Sequence, residues 1–293
     1  MKIGITLPSF VHGADRDAIL TWCRRVDEGP FSSVSVGERI AYPSHELVTT
    51  LAFAAAATER VRILSTVAVL PIHDPVRFAK QMATIDVLSG GRLTVGVGVG
   101  GRDQDYAALG VPFERRFARL DEQVAMMRDV WRGAAVVDGL PPIGPVPVQD
   151  GGPPLLTASM GPKSLARSAI WADGLAGFDL GPDPAGVDAT FRRAEAAWAA
   201  AGRTDRPWLS TSSWFALGDG AADRLAGYAY DYLASFGDTA ARAMSGLCRL
   251  SDAAALREAL TALRATGCDE LVLVPTTLDI DELDRLLTVI SEN

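Results

Sequence analysis

Residues 92–101, RLTVGVGVGG, place Gly96, Gly98 and Gly101 at the spacing G-x-G-x-x-G. Glycines at that spacing let a backbone approach a pyrophosphate at the mouth of a helix. The surroundings argue against a dinucleotide fingerprint. RDQDYAALGVPFERRF, with Gly110 and Pro112, reads as a polar loop before the next clear helix, and Asp121 and Glu122, about 20 residues on, fall inside a helical pattern. Two other uses of the glycines stay open. Gly96 relieves crowding inside a sheet, and Gly98, Gly100 and Gly101 let a flat ligand approach closely.

A second candidate is the segment ASMGPK. Ser159, Met160 and Gly161 precede a helix that has Pro162 at its start, Lys163 adds a cation, and Ala158 lies beside them. Free N–H groups and the helix dipole at such a turn suit an anion such as a phosphate, although Pro at the first helical position is also ordinary capping. Glu38 and Arg39 close the second strand. His12, on the loop after the first, is the one histidine considered for proton transfer. His45-Glu46 begins like the zinc motif H-E-x-x-H, but residue 49 is Thr, so no metal site is expected. Cys23, Cys248 and Cys268 form no C-x-x-C pair and read as small buried apolar residues of a reducing compartment.

These residues sit on a regular alternation. Strands are expected at 2–7, 31–36, 61–70, 92–99, 155–158, 174–178, 208–216 and 270–274. Helices are expected at 15–27, at 44–58 with Ser44 as cap, and at 75–88, 114–131, 163–171, 188–201 and 281–290, with more than one between 221 and 264. Residues 133–154 hold six prolines and form an irregular excursion. Eight strands, each followed by helix, predict one (β/α)₈ barrel over residues 1–293 with its site on the loops after the strands. The charge of −8 argues against a nucleic-acid partner. No apolar run approaches membrane length, and MKIGITLPSF makes a poor signal peptide, so a cytoplasmic location away from membranes is expected.

Residues 50–116, with "AAAATERVRI", "LPIHDP", "DVLSGGRLTVGVG" and "ALGVPFERR", together with "LLTASMGPKSLARSAIWADG", resemble the bacterial luciferase-like flavin monooxygenases and the related F420-dependent reductases. The resemblance implies a luciferase-like (β/α)₈ barrel and a (deaza)flavin-dependent oxidoreductase acting on a small organic substrate. It places a bulge with a non-proline cis peptide at Thr66-Val67, beneath the cofactor ring. It assigns cofactor contacts to Thr66, Val67, Gly98, Gly100, Gly101, Arg102 and Tyr106, and the phosphate to Ala158, Ser159, Met160, Gly161 and Lys163.

Coenzyme F420 is the cofactor expected from "SMGPK", with FMN as the alternative. F420 implies hydride transfer without oxygen, and FMN implies oxygen activation. Relatives carry Glu-His or Asp-His where this chain has Glu38-Arg39, so Arg39 replaces a histidine and is expected near the ring's pyrimidine edge. Glu38, Arg39 and His12 are the candidate catalytic residues. Relatives often pair through early helices, and the alanines at 52 and 54–57 suit a homodimer face. The open rivals are a barrel that binds no cofactor and a barrel hydrolase or aldolase, for which neither Lys80 nor Lys163 makes a convincing Schiff-base residue.

Overall fold

The computed structural model describes residues 1–292. Eight parallel strands close in sequence order into a barrel, as the alternation predicts. In the first half, β1 (Lys2–Thr6), α1 (Arg16–Glu28), β2 (Ser33–Val36), α2 (Leu47–Ala57), β3 (Arg62–Val69), α3 (Pro75–Leu88) and β4 (Leu93–Gly98) follow one another, then α4 (Asp103–Ala108) and α5 (Arg116–Trp131). In the second half come β5 (Leu155–Thr157), α6 (Pro162–Ser168), β6 (Gly174–Phe178), α7 (Pro184–Ala200) and β7 (Trp208–Phe215). The segment between β7 and β8 (Glu270–Pro275) holds α8 (Ala221–Leu233), a 3-10 turn (Ala234–Phe236), α9 (Asp238–Ser245) and α10 (Ala253–Ala265), and α11 (Asp281–Ser291) follows β8. Among the described residues no helix is long and apolar enough to cross a membrane.

Two local expectations are corrected. The cap of α2 is Glu46, not Ser44: its carboxylate accepts from the N–H groups of Val48 and Thr49, which satisfies first-turn donors as a shorter cap would. Residues 103–108 are the helix α4 rather than loop. A short helix therefore does begin just after Gly101, and the glycine run has to be explained by what its backbone meets.

The bottom of the barrel is plugged. Glu270 is fully buried and accepts from Ser33 Oγ at 2.8 Å. It is also paired with Arg62, and the cations of Lys2 and Arg62 lie 5.1 Å from the Trp208 ring centroid. Above this plug Leu64, Leu156, Ala176 and Val272 fill the inner layer with Val67 and Trp208. Filling the lower end leaves the C-terminal ends of the strands as the open mouth.

One carboxylate gathers several of the bonds that hold the excursion at 133–154. Buried Asp86 of α3 accepts from the N–H groups of Val148 and Gln149 at 2.8 and 3.1 Å, and from Gln149 Nε2 at 2.7 Å. Hydrogen bonds to a buried charge are worth more than neutral ones, so Asp86→Ala is expected to lower the unfolding free energy by about 2–4 kcal/mol. A shift of the urea midpoint measures it.

The cysteines behave as small apolar residues. Burial pushes the Cys23 and Cys268 thiols up to about 12 and that of Cys248 up to about 11. Native protein at pH 8 is therefore expected to react slowly with Ellman's reagent, and unfolded protein to release all three thiols at once. The same shifts set a sign: above pH 9 unfolded thiols ionise while folded ones keep their protons, so stability falls as pH rises from 9 towards 12.

Candidate functional site at the barrel mouth

A cavity of about 1190 Å³ opens at the C-terminal ends of the strands. Its floor is built by Thr6, Thr66 and Val67, with Gly37, Gly100 and Gly177 on the surrounding wall. The Thr66–Val67 peptide is cis, where the resemblance places it. Ser65 pairs with Val95 and Ala68 with Val97, so two residues of β3 oppose the single residue Gly96 of β4, which is a bulge.

This register explains the glycine run. A Cβ on Gly96 would lie 2.3 Å from the Ser65 carbonyl oxygen. On Gly98 it would meet Ala158 Cβ at 3.1 Å and Val67 Cγ2 at 3.2 Å. Gly100, at φ 63°, has Val69 Cγ1 2.8 Å from the same position. The glycines therefore let β4 close on the bulged strand. Gly100 also faces the cavity, whereas Gly98 and Gly101 do not line it.

The two neighbours after β2 part company. Glu38 lies on the cavity wall, almost fully buried. Its Oε2 accepts from the Val69 N–H at 2.6 Å, and His73 Nε2 sits 2.9 and 3.0 Å from its two oxygens. The carboxylate thus ties the loop after β2 to the exit of the bulged strand. Arg39 does not line the cavity. Its guanidinium stands over the rings of Tyr42 and Tyr232 at 4.7 and 5.2 Å, 3.5 Å from Asp105, and donates to the Tyr232 carbonyl at 3.3 Å. Asp105 also accepts from the N–H groups of Ile40 and Ala41. Arg39 is thus buried outside the cavity lining, held by Asp105, the Tyr232 carbonyl and two rings rather than set at the wall beside Glu38.

Arg102 does reach the cavity. It lies 4.7 Å from the ring centroids of both Tyr232 and Phe236 and donates to Ser235 Oγ at 3.0 Å. Tyr106 does not line the cavity. It is buried, donates to the Val99 carbonyl and packs edge-on against Phe113, and burial pushes its hydroxyl up to about 12. It braces the glycine loop from beneath.

Aromatic rings form the far wall. Trp214 of β7 is edge-on to Phe178, Tyr228 and Tyr232 at 4.9, 5.8 and 5.1 Å, and Tyr232 meets Phe10 at 5.6 Å. A hydroxyl chain runs beneath: Thr6 Oγ1 and Ser35 Oγ are 2.7 Å apart, and Thr66 Oγ1 donates to Ser35 Oγ at 3.0 Å.

At the β5–α6 turn, Ala158 and Met160 line the cavity, while Gly161 and Lys163 are exposed beside it. Ser159 N–H is bonded to Thr157 Oγ1 at 3.1 Å, and the first turn of α6 has no side-chain cap. His12 is exposed on the loop after β1 and does not line the cavity. His73 does not line the cavity either, but it reaches the wall through its contact with Glu38. His73 is not among the candidate residues read from the sequence, although it stands in the "LPIHDP" stretch between the bulged strand and α3.

A family model described as luciferase-like monooxygenase matches residues 1–272. The Mycobacterium tuberculosis protein Rv0953c, itself uncharacterised, is 36% identical over 167 residues, 55% of this chain and 58% of its own; the chain thus matches less than two thirds of that relative's length. The pyrimidine monooxygenase RutA of Escherichia coli O7:K1 is 37% identical over 91 residues, 29% of this chain and 27% of that one. Among solved structures, an F420-dependent secondary alcohol dehydrogenase in complex with an F420-acetone adduct superposes with a TM-score of 0.81 at 19% identity, covering 99% of this chain and 98% of that one. The monooxygenase RslO1 from Streptomyces bottropensis superposes at 0.79 and 22% identity, covering 100% and 98%. A type II Baeyer-Villiger monooxygenase from Pseudomonas putida in complex with FMN superposes at 0.74 and 15% identity, covering 100% and 97%.

Proposed function

Because the chain belongs to the luciferase-like monooxygenase family, we propose that it is a (deaza)flavin-dependent oxidoreductase that uses coenzyme F420 to transfer hydride to or from a small organic substrate. The observation that carries this reading is the bulged floor at Thr66 and Val67 beneath a cavity whose wall is bare of side chains at Gly37, Gly100 and Gly177. A planar ring system fits there: a Cβ on Gly37 would stand 3.0 Å from the Phe10 ring and 3.2 Å from the Thr66 carbonyl oxygen, narrowing the slot. A volume of about 1190 Å³ also exceeds the roughly 300–1,000 Å³ of a pocket for one small ligand, which leaves room for substrate beside the ring.

In this reading Thr66 and Val67 support one ring face, Gly100 and Arg102 border it, and Ala158, Ser159, Met160, Gly161 and Lys163 receive the phosphate-bearing tail. When bound, the ring supplies two-electron chemistry that no side chain here can supply. The chain's own part is to orient and to handle protons. Glu38 presents the one carboxylate fixed between backbone N–H and imidazole at the cavity wall. The Thr6–Ser35–Thr66 hydroxyls are the polar groups at the floor, and the aromatic wall excludes water from the reacting atoms.

Separate titrations with F420 and FMN, followed by absorbance and fluorescence, test the reading. F420 is expected to bind at micromolar concentration and FMN at least about tenfold more weakly, a difference of about 1.4 kcal/mol. Tighter FMN binding would replace F420 by a flavin and oxygen chemistry. Absence of binding by either would make the barrel a homologue without cofactor and overturn the proposal.

A further inference from the structure

Resting on the reading that the barrel floor takes the ring, we propose that the outer lobe of the cavity is a subsite for an uncharged aliphatic arm of the substrate. The lobe lies beyond Trp214, between the β6–α7 loop and the helices inserted after β7. Leu233, Phe236, Met244, Leu247, Leu250 and Ala262 line it, and they come from α8, the 3-10 turn, α9, the following loop and α10. Helix α10 turns Ala255, Ala259 and Ala262 towards the cavity, a spacing that puts three small side chains on one face. Larger residues there would fill the space; alanines leave it open.

Two further features separate this lobe from an accidental cleft. Its outer wall is built by close approach: a Cβ on Gly181 would lie 2.0 Å from the Leu247 carbonyl oxygen, so the β6–α7 loop closes directly on the chain after α9. Its rim is apolar and wet. Phe178, Phe236 and Leu247 are 36%, 43% and 49% exposed and all line the cavity. Exposed apolar surface gathered around a concave opening marks a ligand groove.

The charges on this wall favour a neutral occupant. Asp183 spends its carboxylate on the Ala185 and Gly186 N–H groups, and Asp179 accepts from the Gly181 N–H. Arg102 is engaged with Ser235 and Tyr232. Arg249 and Glu258 are the remaining charged side chains on the cavity wall here; both are exposed and of opposite sign. With Asp179, Asp183 and Arg102 they make three acids and two cations, each either hydrogen-bonded or open to solvent, so no unpartnered charge is aimed into the lobe to select an ion.

A homologous series of 1-alkanols, bound to the protein with and without cofactor, tests this through quenching of tryptophan fluorescence, Trp214 being in the wall. Burial of each methylene should tighten binding about three- to fourfold from about four to about ten carbons. Ala262→Phe, which fills the lobe, should flatten the series beyond the shorter members. Leu247→Glu, at an exposed position that tolerates substitution, should weaken only the longest. Affinities independent of chain length in the native protein, or an unchanged series in Ala262→Phe, would overturn the proposal. So would a Leu247→Glu protein that changes its oligomeric size while keeping the series, because the rim would then belong to a second copy. Failure of both F420 and FMN to bind, read separately, would overturn the functional reading and leave the chain-length result standing on the cofactor-free protein.

Discussion

Replacing Gly96 by alanine is expected to weaken cofactor binding by about 100-fold or more and to lower stability by about 1–3 kcal/mol. The added methyl carbon would sit 2.3 Å from the Ser65 carbonyl oxygen, closer than non-bonded atoms tolerate, and the obstacle is backbone rather than the tip of a flexible side chain. Either β4 or the segment at Ser65 must move. Ser65 immediately precedes Thr66 and Val67, so the displacement falls on the floor of the cavity. Two companions grade the effect. Gly98→Ala meets only side-chain carbons, at 3.1 and 3.2 Å, and is expected to cost less than tenfold in affinity. Gly101→Ala finds its first neighbour, a Phe236 ring carbon, at 3.8 Å and is expected to be neutral. Titration of cofactor against all three, with urea denaturation beside it, checks the order. If Gly96→Ala binds like the native protein, the bulge is not the ring's support.

The barrel is legible because it is written in periodicity: eight short strand-like runs alternate with segments of helical spacing, and closure follows from their number. The site was legible only where it coincides with backbone features. The glycine run announced a close approach, but not that the approaching partner is a bulge in the neighbouring strand. Helix α4 was missed because DQDYAA is too short and polar to show a 3.6-residue period, and its one buried acid, Asp105, is held by Arg39 and the loop after β2. Arg39 itself shows the limit. Adjacent residues of extended chain point to opposite sides, so if Glu38 faces the mouth Arg39 faces away, but which one does so is set by acceptors 65 and more residues distant. His73 reads as one more loop histidine until the chain folds, because its partner Glu38 is 35 residues away. Such pairings are tertiary and leave no local pattern.

The Glu38–His73 pair carries the second large effect. Glu38→Ala removes the acceptor of the Val69 N–H and of His73 Nε2 in a nearly dry place. Leaving two such donors unpaired costs about 1–3 kcal/mol each, so loss of activity in that variant would mix chemistry with damage to the floor. Glu38→Gln separates them. Its amide oxygen can still accept from Val69 N–H and keep the β3 exit in place, but an amide cannot take up a proton at neutral pH. If Glu38 exchanges a proton with the substrate, the glutamine variant should hold cofactor affinity and urea midpoint near native values while kcat falls about 100-fold or more. If Glu38 only braces the loop, kcat should stay within a few-fold of native and KM should change little. His73→Gln then tells whether the imidazole positions the carboxylate. A positioning role predicts a smaller kcat loss than Glu38→Gln and no further loss in the double variant, because two residues acting through one another are not additive. Additive losses would mean that His73 acts elsewhere, and the pair would cease to be a unit.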